Sequence, residues 1–422
     1  MGAPDAKPPA DALRLAARRY GTPLYLTSVP ALTAAADELR EAFPDPWLRA
    51  FSLKANDVPA VVRRLAEAGL DANVVSGGEW AAARSAGLPS ARITLEGVGK
   101  TASDLRAAVR ATAEGDPLRW VAVESPEELD ALVRLAARAG LGRGGRPALD
   151  VLLRLNPDVA PETQAGLAVG RASSKFGMDE TELTAAVAGL EPGGAVRPRG
   201  IHLHVGSQLG AVDAWRDAVR RGLALLALLG SNRPELDTLD VGGGFPVGDD
   251  GTVPTPARFA QEVAQLLNAL PADRRPAHLA VEPGRFLVAK AGWIVASVLH
   301  VRDRRDGERV VVLDAGMTEL IRPALYDAWH PIEALTSLGE RAGTSTVSPA
   351  RVDGPVCEST DTFGIRQLPA LRRGDLVAIG WAGAYAASMG MTYNGRPSPP
   401  QVLLEADGTF TLGRRRGRRP GR

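Results

Sequence analysis

Between residues 47 and 282 the chain repeats one pattern, a short apolar stretch followed by an Ala/Leu/Arg-rich stretch of helical periodicity, and this alternation constrains the fold more than any other feature. Eight of the apolar stretches read as strands, at 48–53, 72–75, 92–95, 120–123, 151–155, 200–204, 238–241 and 278–281. Helical segments lie between them, among them 59–68, 78–86, 126–139, 181–190, 212–229 and 256–270. Strands joined by helices pair in parallel through right-handed crossovers. Eight such units in roughly 235 residues match the ~250 residues of a (β/α)8 barrel. A doubly wound open sheet shows the same periodicity and remains the competing reading.

Beyond residue 286 the pattern changes. Stretches 293–301, 308–313, 351–356, 375–379 and 401–405 read as strands separated by Gly/Pro turns, with little helical periodicity. The early stretch 23–27 is also strand-like and is expected to join that second sheet. The expected division is an α/β barrel over residues 33–286 and a β-rich domain formed by 1–32 together with 287–422, ending in a disordered basic tail at 414–422.

Charge and cysteine usage narrow the partners. The chain carries 50 basic and 49 acidic residues. The tail arginines Arg414, Arg415, Arg416, Arg418, Arg419 and Arg422 outweigh that small excess, so the rest of the chain is mildly acidic and has no global field for nucleic acid or anionic membrane. A disordered end is the plain reading of the tail, and a nucleic-acid arm is the other. The single cysteine, Cys357, cannot form an internal disulfide, which points to a reducing compartment and hence the cytoplasm. The longest apolar run, 223–229, is far short of the ~18 residues that would span a bilayer, so no membrane partner is expected.

A barrel places functional groups just after the C-terminal ends of its strands. Lys54 stands there after the first strand, His204 and Ser207 after the sixth, Gly242-Gly243-Gly244 after the seventh, and Glu282 and Arg285 after the eighth. The chain uses arginine wherever a positive charge suffices: Lys7, Lys54, Lys100, Lys175 and Lys290 are all its lysines. An arginine stays protonated, whereas a partly desolvated lysine can shed its proton and attack a carbonyl, so Lys54 is a candidate for covalent attachment; a surface lysine at a strand end is the alternative. The glycine triplet permits close approach of backbone N–H groups to a phosphate, or it is a tight turn. His202 and His204 share one strand face without a third ligand, which makes a zinc site a poor reading. One of them could lie flat against a heterocycle, and Glu282 could hold a ring nitrogen protonated or pair with Arg285.

These residues resemble the fold-type III pyridoxal-phosphate decarboxylases, especially the diaminopimelate decarboxylases. The likeness runs in order through 51–56 around Lys54, Val75-Ser76-Gly77-Gly78-Glu79, Ser174-Lys175-Phe176-Gly177, 202–208, 240–246, 282–285, Arg322-Pro323-Ala324-Leu325-Tyr326, Gly354-Pro355-Val356-Cys357-Glu358-Ser359 and Gly383-Ala384-Tyr385. It implies pyridoxal 5'-phosphate bound covalently by Lys54, with His204 stacked on the ring and Glu282 paired with the ring nitrogen. Ser207, Gly243, Gly244 and Tyr385 would hold the phosphate. Arg285, Arg322, Tyr326, Glu358 and Tyr385 would bind the far end of the amino-acid substrate, its carboxylate suiting bidentate arginine. The resemblance further implies a homodimer with shared active sites, the partner supplying the Cys357 segment, and Cys357 or Lys54 returning a proton to Cα after CO2 leaves.

The reaction so implied converts meso-2,6-diaminopimelate to L-lysine and CO2. Ser52-Leu53 before Lys54, Trp80 after Glu79 and the run 391–394 depart from the family's usual residues. They leave room for a paralogue acting on another amino acid in secondary metabolism. A racemase and a non-catalytic cofactor-binding relative are the remaining alternatives.

Overall fold

The computed structural model describes residues 7–171, 173–248, 251–305, 307–335 and 347–417. The chain divides into two compact units, one made of residues 36–54 and 65–286, the other of 1–35, 55–64 and 287–422.

The first unit is a closed barrel of eight parallel strands, Leu48–Ser52, Asp71–Val74, Ile93–Leu95, Trp120–Val123, Leu149–Leu155, Val196–Leu203, Thr238–Asp240 and His278–Val281. The closure, with Leu48 beside Ala280 and Arg49 beside Val281, excludes the open sheet. All eight expected strands are present. Three of them begin earlier than expected, at Asp71, Leu149 and Val196; the last gains most, because the alternation of polar and buried residues in Val196–Leu203 breaks the continuous apolar run.

The barrel interior changes character along its axis. Leu48, Trp120, Leu152 and Ala280 form an apolar cluster. Buried polar side chains then gather where strands end: Ser52, Asn73, Glu96, Arg154, His202, Asp240 and Glu282. Buried polar groups are costly unless bonded to one another, so such a gathering marks a site rather than a core.

Helices follow the strands with strong caps. Ser76 accepts from the Glu79 N–H at the start of Gly77–Ser85, while the Glu79 carboxylate accepts from the Val75 N–H at 2.9 Å. Ser125 does the same for Pro126–Arg138. Outside the sheet, Phe43, Trp215, Phe245 and Phe259 pack as an aromatic group with ring centroids 5.0–6.5 Å apart, and Phe245 anchors the glycine loop that precedes it.

The second unit is built on a nine-stranded mixed sheet. Leu24–Ser28 lies inside it, antiparallel to Gly292–Asp303 and parallel to Gln401–Leu404, as the early strand-like stretch leads one to expect. Ile332–Leu335, Thr362–Leu368 and Phe410–Arg414 are strands without a clear sequence signal. The last two are the outer strands of the main path and are half exposed, so they lack the apolar run by which an interior strand is recognised. The basic tail is shorter than expected. Arg414 ends a strand, and the Arg416 guanidinium donates to the carbonyls of Tyr20, Gly21, Thr22 and Pro23; 418–422, the rest of the expected tail, lie outside the described residues. No helix among the described residues is long and apolar enough to cross a membrane.

Candidate active site

The barrel strands carry Lys54, His204, Ser207, Gly243, Gly244, Glu282 and Arg285 to their C-terminal ends within one unit. Lys54 sits in the single turn Leu53–Ala55 directly after the first strand. That strand's end is tied across the barrel by the Ser52 N–H, which donates to the Pro283 carbonyl at 3.1 Å.

His204 lies one residue past its strand. Its Nδ1 accepts from the Gly243 N–H at 3.3 Å, which leaves the other ring nitrogen as the protonated one and fixes the ring. Burial, then the neighbouring positive charges of Lys54 and Arg154, push its pKa well below the usual histidine range. A neutral, fixed imidazole suits stacking on a heterocycle. The Gly243 N–H, expected at a phosphate, is instead engaged by His204, because the positive φ of Gly242 (70°) turns the next amide toward the sixth strand.

Glycine at 243 has a second cause. A Cβ there would lie 2.3 Å from the Glu282 carbonyl oxygen, a backbone atom that cannot swing away. In Gly243→Ala we expect the melting temperature to fall, with about 1–3 kcal/mol of stability lost to overpacking, and cofactor content to fall with it. An unchanged melt and full cofactor content would show that the loop yields.

Arg285 donates to the Ser207 hydroxyl through Nη2 at 3.0 Å and Nε at 3.3 Å, and the Thr163 hydroxyl donates to the Ser207 carbonyl at 2.6 Å. A buried guanidinium beside a held hydroxyl is a donor pair for a phosphate or a carboxylate. Arg154 is ion-paired with Glu124 at 2.6 Å, both buried, and covers the Phe176 ring at 4.7 Å. Glu124 also accepts from the Gly177 N–H at 3.1 Å, so the Ser174-Lys175-Phe176-Gly177 segment is pinned at the rim by this pair.

Glu282 is the most crowded group. The Asn73 amide donates to its Oε1, and its Oε2 stands 3.3 Å from His202 Nε2. Glu96 reaches the same His202 nitrogen at 3.4 Å, and Asp240 accepts from the Gly242 N–H at 2.8 Å. Burial, then the charge of Glu282, raises the carboxyl of Glu96 to about 8, and the same two causes, joined by Glu96, raise that of Asp240 well above the usual range. Burial lowers His202 to about 4, so it is neutral at pH 7. Asn73 and Glu96 were not among the expected site residues. Their only sequence signal is a polar side chain at the end of an apolar strand, as in Asp71-Ala72-Asn73 and Ile93-Thr94-Leu95-Glu96.

The other expected residues belong to the second unit. Arg322 and Tyr326 begin and end the short helix Arg322–Tyr326, with Arg322 Nη1 3.2 Å from His330 Nε2. Glu358 accepts from the Tyr393 hydroxyl at 2.9 Å, and its neighbour Cys357 is exposed. Tyr385 holds a positive φ of 56° and donates its N–H to the Ala55 carbonyl at 2.8 Å.

A barrel rim that offers an amine for a carbonyl, a buried carboxylate for a ring nitrogen, a neutral imidazole for a ring face and a guanidinium–hydroxyl pair for a phosphate has the donor set of a pyridoxal-phosphate site. The family model of the pyridoxal-dependent decarboxylase pyridoxal binding domain matches residues 30–289. The chain belongs to the pyridoxal-dependent decarboxylases, carboxy-lyases that use pyridoxal phosphate. It is 34% identical over 96% of its length to diaminopimelate decarboxylase of Aquifex aeolicus, covering 91% of that protein, and 36% identical over 93% of its length to that of Deinococcus radiodurans, covering 92%. Its structure is similar to diaminopimelate decarboxylase of Helicobacter pylori complexed with L-lysine, with a TM-score of 0.85, 31% identity and 95% of each chain covered.

Proposed function

We propose that this chain decarboxylates meso-2,6-diaminopimelate to L-lysine and CO2 in the cytoplasm, as a homodimer with shared active sites. The observation that carries the substrate is similarity to diaminopimelate decarboxylases over nearly the whole chain, both units included. Arg285, Arg322, Tyr326, Glu358 and Tyr385 are the groups assigned to the substrate's far carboxylate and amine. The guanidinium groups of Arg285 and Arg322 suit a second carboxylate on the substrate.

Lys54 would hold the cofactor by its aldehyde, His204 would lie against its ring, and Glu282 would pair with the ring nitrogen. Ser207, Gly243, Gly244 and Tyr385 are the groups assigned to the phosphate, and Arg285 is bonded to Ser207. The cofactor, when bound, supplies the electron sink that accepts the pair left behind by departing CO2. Glu282 would keep the ring nitrogen charged, and Lys54, or Cys357 supplied by the partner of the proposed homodimer, would deliver a proton to Cα. Incubation with meso-diaminopimelate, ornithine, arginine and lysine, with products identified by mass, is expected to yield CO2 and L-lysine from the first alone. Turnover confined to the others would reject the substrate and favour the paralogue.

A further inference from the structure

Glu96 carries a function of its own. Its N–H donates to the Val74 carbonyl at 2.8 Å, which fixes the backbone as the third strand ends and turns the side chain into the barrel, where it is 4% exposed. One acceptor atom each from Glu96, His202 and Glu282 lies within 4.8 Å of the others. The groups facing this point are His202 from the sixth strand, Asp240 from the seventh, Glu282 after the eighth and the uncharged Asn73 from the second. Farther off stand Lys54 and the Arg154–Glu124 pair, whose charges offset each other.

Three carboxyls in one buried place cannot all ionise. The Asn73 amide donates to Glu282 Oε1, while burial and then the charge of Glu282 hold the carboxyls of Glu96 and Asp240 well above the usual range. Glu96 and Asp240 then keep their protons. An O–H from either of them is a better partner for a buried carboxylate than a second negative charge.

We propose that Glu96 is a positioning residue, which keeps its proton and hands its O–H to Glu282, so that Glu282 remains the ionised member of the cluster available to the cofactor's ring nitrogen. The inference rests on the assignment of Glu282 given above. It adds a group that acts on the cofactor only through another side chain.

The test compares wild type, Glu96→Gln, Glu96→Leu and Glu282→Gln. Pyridoxal phosphate is titrated into each apoprotein, the absorbance of each holoenzyme is followed with pH, and each apoprotein is melted across the same range. Glu96→Leu removes the donor, and we expect cofactor binding about tenfold weaker or worse, the size of one lost bond to a charged group. Glu96→Gln offers an amide N–H in the same place and is expected to restore wild-type affinity.

The melts carry an independent sign. Glu96 holds its proton in the folded chain up to about 8, against an ordinary 4.5, so the stability it contributes is complete below 4.5 and lost as pH rises through 8. His202, lowered from 6.5 to about 4, acts oppositely, but its share is complete above 6.5. Wild-type apoprotein is therefore expected to lose stability between about pH 6.5 and 8, and Glu96→Gln to lose less.

A Glu96→Leu protein with wild-type affinity and absorbance, beside an impaired Glu282→Gln, overturns the proposal while leaving the Glu282 assignment standing. So does a Glu96→Gln protein whose stability falls with pH as steeply as wild type. An unimpaired Glu282→Gln overturns both.

Discussion

In Lys54→Ala the absorbance of bound cofactor is expected to vanish and turnover to fall by about 10³-fold or more, the scale on which a positioned proton-transfer and covalent group acts. The loss is chemical rather than structural, because Lys54 occupies a single turn whose preceding strand is tied to the Pro283 carbonyl through backbone atoms that the substitution leaves in place. The other lysines are engaged elsewhere. Lys7 pairs with Glu333 at 2.6 Å and the buried Lys100 with Glu128 at 3.0 Å, while Lys175 and Lys290 stand 5.5 Å from the centroids of Phe176 and Trp381. Borohydride reduction of the holoenzyme followed by peptide mapping should place the cofactor mass on the peptide containing Lys54 and on no other. A label on a different lysine, or an unaltered spectrum in the variant, would remove the covalent link from residue 54.

What the amino-acid sequence makes legible follows from which physical signals survive in one dimension. The barrel is legible because eight buried parallel strands must each be a short apolar run, and Trp120–Val123 or His278–Val281 cannot be confused with the helices that separate them. Outer strands such as Thr362–Leu368 are half polar by necessity and pass for loop. Polar groups at strand ends are legible as chemistry-bearing residues in a predictable place, which is how Lys54, His204 and Glu282 become candidates. Asn73, Glu96 and the inward role of His202 are not, since nothing in the order of residues says that three strands point their polar side chains at one carboxylate. Even Gly243, expected as a phosphate ligand, is held to glycine by the Glu282 carbonyl 2.3 Å from where its Cβ would stand, a constraint of closure that no local pattern records.

Glu282→Gln separates electronics from attachment. The amide keeps the size of the side chain and can still bond Asn73, but it carries no charge to hold a ring nitrogen protonated. Cofactor is expected to remain joined to Lys54, with its absorbance shifted, while kcat for CO2 release falls by about 10²–10⁴-fold and KM changes little, the pattern of an interaction felt in the transition state. A racemase would tolerate the change, because an unprotonated ring serves that chemistry, so the size of the loss also decides between the two reactions. Stability moves the other way. Glu282 is a buried carboxylate, 5% exposed, and replacing it with an amide of the same size removes the cost of keeping a charge out of water inside the barrel. The variant apoprotein is therefore expected to melt no lower than wild type at pH 7, which distinguishes lost catalysis from lost folding. A variant that both melts early and loses its cofactor would instead make Glu282 a structural member of the cluster, and the pairing with the ring nitrogen would pass to another group.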